Sequence, residues 1–267
     1  MPNLPPIAFI GGGNMASAMV AGLAAVPNRP KIIVSEPDSA KHAAVIAHGA
    51  VTTTDNLAAL TIGSLVVLAI KPQMAAQVVP ALAAGWRPHH LLVSILAGTS
   101  TRKLEGWLPP GARVVRAMPN TPLAIGLGMV GICRGSAATE ADLATAESLF
   151  APSGTVLKVT DESRMDAITA VSGSGPAYFF RFAEALVDAA MALGFSRDEA
   201  VLLVGRTGSG SWEYLLRSGF DAVRLRQQVT SPGGTTAAAL AELEKADFTG
   251  IWTRALQAAE RRGKELG

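Results

Sequence analysis

The feature that most limits what this chain can become lies near its start. The apolar run Ile7-Ala8-Phe9-Ile10 leads into Gly11-Gly12-Gly13-Asn14-Met15-Ala16, and helix-forming residues follow to about Leu23. This is G-x-G-x-x-A in strand–turn–helix order. Gly11 permits a tight turn, Gly13 lets the backbone approach a pyrophosphate, and Ala16 keeps the helix close to the strand. The first helical turn then offers free N–H groups and the positive end of its dipole to phosphates. Ile10, Gly11, Gly12, Gly13, Asn14 and Met15 are therefore candidate dinucleotide-binding residues. No charge occurs between Met1 and Asn28, which alone would fit a leader or a membrane span. The glycines interrupt that run and a basic n-region is missing, so the expectation is a cytoplasmic protein with no membrane partner.

The pattern of apolar runs extends this start into a fold. Short stretches rich in Val, Ile and Leu at 7–11, 31–35, 65–70, 91–96, 114–118, 129–134 and 156–159 read as strands. Several are near-continuous, as in strands covered on both faces. Helical stretches fall between most of them, and Thr139 with Asp142 resembles a capping signal for a helix to about Phe150. The alternation predicts an α/β fold whose first part is a Rossmann-type, doubly wound parallel sheet. After about residue 160 only helical periodicity is found. Pro176 begins a helix that Gly194 stops, Ser196 and Glu199 form a capping box for the next, and a last helix carries Phe248, Ile251, Trp252, Ala255, Leu256 and Ala259. The expected division is 1–160 for the nucleotide and 161–267 for an all-helical domain. Helix 176–193 is apolar on more than one side and needs more than one neighbour. A second copy of the chain supplies one most simply, so a homodimer or larger homo-oligomer is expected.

Composition removes other classes. The net charge is +2, with 16% charged residues and no polybasic run, which gives no footprint for nucleic acid or anionic lipid. The single cysteine, Cys133, cannot build a disulfide framework and sits in the apolar run from Met129, where it reads as a buried strand residue. His42, His48, His89 and His90 lack partners at metal-ligand spacing, so no zinc site is expected.

In a doubly wound sheet, ligands lie at the carboxyl ends of the strands. Glu36 ends the second strand 20 residues past Ala16. An acid there would accept from a ribose 2′-OH and repel a 2′-phosphate. Ser35 or Lys41 would instead favour the phosphate, and a solvated loop residue is the plain alternative for Glu36. Ala69-Ile70-Lys71-Pro72 and Ser94-Ile95-Leu96-Ala97-Gly98 end two further strands, and Asn56 is a polar candidate on the adenosine side. The cofactor expected from this set is NADPH or NADH.

Blocks spread over the whole length resemble the pyrroline-5-carboxylate reductase family. They are Ile10 through Met15, Ala69 through Pro72, Ser94 through Gly98, Arg116-Ala117-Met118-Pro119-Asn120-Thr121-Pro122 and Val171-Ser172-Gly173-Ser174-Gly175-Pro176-Ala177-Tyr178. The most specific is Val229-Thr230-Ser231-Pro232-Gly233-Gly234-Thr235-Thr236. The chain departs from the pattern at two places: Asp221-Ala222 stands where many members carry His-Pro, and Gln227 where many carry Asp. The resemblance implies a nucleotide-binding domain followed by a helical dimerisation domain. It also implies hydride transfer from NADPH or NADH to the C=N bond of 1-pyrroline-5-carboxylate, giving L-proline.

In that reaction Ser231, Gly233, Gly234, Thr235 and Thr236 would bind the substrate. The glycines allow a loop whose N–H groups converge on its carboxylate, with a helix beginning directly after. Thr236, with Ser231, can hydrogen-bond the ring nitrogen, and the resemblance makes Thr236 the proton donor. Threonine is a weak acid, so orientation and relay suit it better. A helix N-cap is the alternative for Thr235-Thr236. Glu162 has a family counterpart near the product, but a first-turn acid favouring a helix dipole is equally natural there. Ser172 through Gly175 line the same cleft or mark a kink between helices. Two other functions compete. A β-hydroxyacid dehydrogenase or imine reductase usually relies on a lysine in its helical domain, and residues 162–220 contain none. A non-catalytic nucleotide sensor would not need the intact Ser-Pro-Gly-Gly-Thr-Thr loop.

Overall fold

The computed structural model describes residues 4–266. One eight-stranded sheet has the order β3-β2-β1-β4-β5-β6-β7-β8. Its strands are β1 (Ile7–Ile10), β2 (Ile32–Ser35), β3 (Val51–Thr53), β4 (Leu65–Leu68), β5 (Leu91–Ser94), β6 (Arg113–Met118), β7 (Gly128–Arg134) and β8 (Gly154–Lys158). The helices between and after them are α1 (Asn14–Ala24), α2 (His42–Ile46), α3 (Asn56–Ile62), α4 (Ala75–Leu82), α5 (Thr101–Trp107), α6 (Glu140–Phe150), α7 (Arg164–Ile168), α8 (Gly175–Ala192), α9 (Arg197–Arg217), α10 (Ala222–Gln228), α11 (Thr235–Lys245) and α12 (Phe248–Leu266).

The central strands are apolar along their length because both faces are covered. In β1, Ile7 and Phe9 enter one core layer with Met19, Val20 and Leu23 of α1 and Leu149 and Phe150 of α6. Ala8 and Ile10 enter the opposite layer with Leu60 of α3, Val79 and Leu82 of α4 and Leu104 of α5. The period of two thus sends alternate side chains to opposite helical layers. Strand order reverses between β1 and β4, which both pair in parallel with their neighbours. That reversal is the switch point where such sheets bind ligands.

The expected parallel sheet needs one correction. β6 and β7 pair antiparallel. The link between Met118 and Gly128 holds only a 3-10 turn, Thr121–Ile125, too short for the crossover a parallel pair requires. Asn120 fixes this link: its Oδ1 accepts from the Met129 N–H at 2.9 Å and its Nδ2 donates to the Ser172 carbonyl at 3.3 Å. β3 was not anticipated; at three residues it is shorter than any periodicity can reveal. Cys133 is buried beside Val159 and Met165. Burial pushes its thiol pKa up to about 11.

From Arg164 onward every described element is helical. Thr139 and Ser196 each form a reciprocal capping box, with Asp142 and Glu199. Ser172 and Gly173 close a π-turn, Thr169–Gly173, sealed by the Ser174 N–H on the Thr169 carbonyl at 2.8 Å. By contacts, 4–176 with 258–266 form one compact unit and Ala177–Gln257 another. Within Ala177–Gln257 Ala200 is the single buried residue. Phe179, Phe180, Phe182, Leu202, Tyr214 and Val229 are all at least half exposed.

Candidate functional site

The glycine loop is built for close approach. Gly11 has φ +102°, and a Cβ there would lie 2.5 Å from the Ala69 carbonyl oxygen. Only glycine fits both the backbone and the space. Gly12 lies against Glu36, whose Oε2 accepts its N–H at 2.8 Å. Gly13 is the N-cap of α1 and offers no side-chain acceptor, while a Cβ on it would meet nothing within 4 Å. No acid occupies the first turn of α1. The first N–H groups of this helix therefore have no side-chain cap, which fits a pyrophosphate. Asn14 and Met15 begin the helix at the rim, and Ala16 is buried against the strands.

The other predicted cofactor residues gather at the same sheet edge. Ala69 N–H bonds the Ile10 carbonyl at 2.8 Å, and Ile95 N–H bonds the Leu68 carbonyl at 3.1 Å. Strands expected to reach 70 and 96 in fact stop at 68 and 94. Ala69-Ile70 thus continue as loop at the switch point, and Ile95-Leu96-Ala97 as loop one strand beside it. Lys71 is exposed and Pro72 starts a 3-10 turn. Ser35 ends β2, and its Oγ donates to Oδ1 of Asn56, at the start of α3, at 2.7 Å.

Glu36 is not the solvated loop residue of the plain alternative; it is 7% exposed. Burial opposes its ionisation. The N–H groups of Gly12 and Asp38 and the charge of Lys41 outweigh that, and its pKa lies below the ordinary carboxylate value.

Glu162 lies ahead of the N-cap Ser163, outside the first turn of the helix that the sequence assigned to it. It precedes α7, and its Oε1 and Oε2 accept from the N–H and hydroxyl of Thr101 at 2.7 and 2.6 Å. Arg116, whose side chain is 6% exposed, reaches Glu162 at 3.3 Å and Asp166 at 2.8 Å. Glu162 thereby holds the start of α5, which follows the 95–100 loop. Gly98 in that loop lies against Leu266, and Gly263 against Asp166. Asp166 and Thr101 escaped sequence reasoning, and Arg116 entered it only as the start of a resemblance block, with no ion pair assigned. The available signal was an arginine inside the apolar run of β6, since a buried cation requires acidic partners.

The Ser231 loop lies in the other unit. Gly234 N–H bonds the Ser231 carbonyl at 3.1 Å, Pro232 follows Ser231, and Gly233 has φ +68°. Proline second and a left-handed glycine third are the signature of a type II turn. A Cβ on Gly234 would lie 2.4 Å from the Ser231 hydroxyl oxygen. Gly234 is the N-cap of α11 and makes no side-chain cap. Thr235 and Thr236 are therefore the first two helical residues, and the N-cap alternative fails for both. The departure at Asp221 also has a local reason: its carboxylate caps α10 by accepting from the Arg224 N–H at 3.0 Å. Among the described residues no group of three or more His, Cys, Asp and Glu could hold a metal ion. No described helix is long and apolar enough to cross a membrane.

A glycine cradle at the switch point, an acid directly after β2 and a following all-helical region define a Rossmann-type NAD(P)H-dependent oxidoreductase. The comparisons narrow this class. A family model for the dimerisation region of pyrroline-5-carboxylate reductase matches residues 162–266. One for coenzyme F420-dependent NADP oxidoreductases matches residues 6–98. Pyrroline-5-carboxylate reductase of Pseudomonas aeruginosa is 40% identical over 98% of this chain and 97% of its own length. The structure of the Coxiella burnetii enzyme superposes with TM-score 0.89 at 38% identity, covering 98% of each chain. That of Plasmodium falciparum pyrroline carboxylate reductase, with NADP bound, gives 0.87 at 30% identity, covering 100% of this chain and 99% of that one. The chain belongs to the pyrroline-5-carboxylate reductase family.

Proposed function

We propose that this protein reduces 1-pyrroline-5-carboxylate to L-proline with NADH or NADPH, as a cytoplasmic homodimer or larger homo-oligomer. Residues 1–160 serve the coenzyme and 161–267 serve substrate and assembly. The observation that carries the reading is the uncapped start of α11 behind the Ser231-Pro232-Gly233-Gly234 turn. The N–H groups there form a socket for a small carboxylate, with the Ser231 and Thr236 hydroxyls beside it.

The dinucleotide, held by Gly11 through Met15 and the loops after β4 and β5, supplies a hydride when bound. The chain's own residues supply position and hydrogen bonds. The substrate carboxylate takes the N–H groups at the start of α11, and Thr236 meets the ring nitrogen. An imine is basic enough to arrive partly protonated, so the hydroxyl orients and relays rather than acting as a strong acid. Fixing the imine carbon at reacting distance is the larger contribution. The bare apolar helices of Ala177–Gln257 support assembly, because a free surface of that kind normally marks an interface. In the test, purified protein should oxidise the coenzyme only when 1-pyrroline-5-carboxylate is added, with proline accumulating. No proline with either coenzyme would overturn the reading.

A further inference from the structure

We propose that Glu36 determines coenzyme choice and makes this enzyme prefer NADH to NADPH. The proposal rests on the dinucleotide reading of the glycine loop. It turns on which groups at the end of β2 remain free to meet a 2′-substituent.

Glu36 is held in place. Its Oε2 accepts the Gly12 N–H at 2.8 Å and its Oε1 accepts the Asp38 N–H at 3.1 Å. Its Cβ and Cγ press on the space beside Gly12, at 3.0 and 3.2 Å from where a Cβ would stand. The carboxylate therefore cannot swing aside without releasing the loop that faces the pyrophosphate. It adjoins that loop, where the adenosine ribose lies in this fold.

Lys41, Ser35 and His42, three nearby groups that would serve a 2′-phosphate, are already engaged. Lys41 Nζ is shared between Glu36 at 3.5 Å and Asp38 at 3.4 Å. Two carboxylates and one ammonium leave this corner net negative. The Ser35 hydroxyl donates to Asn56. His42 Nε2 lies 2.7 Å from the Glu36 carbonyl oxygen. The corner thus presents carboxylate acceptors, which suit a ribose hydroxyl. A phosphate dianion would add like charge beside a partly buried anion.

The test is direct binding, read by nicotinamide fluorescence, with competition by ADP-ribose and by its 2′-phosphate. Wild-type protein should bind NADH, and ADP-ribose, about tenfold or more tighter than the 2′-phosphorylated forms, as expected for like charges at short range. Glu36→Gln keeps an acceptor for Gly12 but removes the charge. It should narrow the NADH-to-NADPH ratio about tenfold, mainly through tighter NADPH binding. Equal or tighter NADPH binding by the wild type would overturn the proposal, as would an unchanged ratio in Glu36→Gln. Should that variant fail to fold, the wild-type competition alone still decides the preference, and Glu36→Ser repeats the charge removal. The outcomes separate from those of the reaction itself. NADH preference without proline formation would sink the assigned reaction, and proline formation with NADPH preference would sink this inference.

Discussion

Replacing Thr236 by Ala removes one hydroxyl, and the structure fixes what that should change. Thr236 is the second residue of α11, behind a glycine N-cap that makes no side-chain cap. Its hydroxyl forms no hydrogen bond with the described residues. Alanine is also the better helix former, so folding should lose nothing and gain at most a few tenths of a kcal/mol. If the hydroxyl meets the ring nitrogen, losing that bond in the transition state costs about 1.5–3 kcal/mol, or roughly ten- to a hundred-fold in turnover. Steady-state rates with 1-pyrroline-5-carboxylate and thermal unfolding should be measured together on wild type, Thr236→Ala and Thr236→Ser. The expected pattern is an unchanged melting temperature throughout, a large loss of kcat in Ala, and most activity kept in Ser. Near-normal kcat in the Ala variant would remove Thr236 from the reaction and leave Ser231 as the side-chain candidate.

Two glycines of the same loop should behave oppositely. Gly11→Ala meets the Ala69 carbonyl at φ +102° and should destabilise the fold by about 1–3 kcal/mol. Gly13→Ala points into open space and should melt as wild type while binding coenzyme much more weakly; equal effects on stability would refute the geometry. Glu162→Gln removes the charge facing buried Arg116 while leaving an acceptor for Thr101, and calorimetry should show about 1–3 kcal/mol lost; a neutral effect would contradict the clamp. Cys133, with its thiol pKa raised to about 11, should resist alkylation near neutral pH in the native protein and react on unfolding. The unfolded thiol ionises at its ordinary value, below the native one. The Cys133 contribution to stability is therefore full below that ordinary value and is lost as pH rises towards about 11. A denaturation series in Cys133→Ala should lack this alkaline loss.

Patterns of consecutive residues were legible in the sequence. The apolar strands, the Thr139 and Ser196 caps and the glycine turn all depend on neighbours within a few positions. The gathering of the predicted coenzyme residues at one sheet edge was legible too, because the doubly wound topology places the ends of the parallel strands β1, β2, β4 and β5 on one side. Hidden features depended on partners distant in the chain. Thr101 and Glu162 are 61 residues apart, so nothing local indicates that this carboxylate is occupied by α5. The antiparallel β7 followed from a link too short for a crossover, visible only once both strand ends are fixed. Thr235-Thr236 resembled caps because Thr is a good N-cap, yet the turn at Gly233 places Gly234 in that position.

The most direct test of the reaction is to trace the transferred atom. Coenzyme carrying deuterium at the nicotinamide C4, on the face that transfers, is supplied with unlabelled 1-pyrroline-5-carboxylate, and the product is read by mass spectrometry and NMR. The expected result is L-proline with a single deuterium at C5, the former imine carbon, formed in step with coenzyme oxidation. Coenzyme oxidation without labelled proline would contradict the assignment.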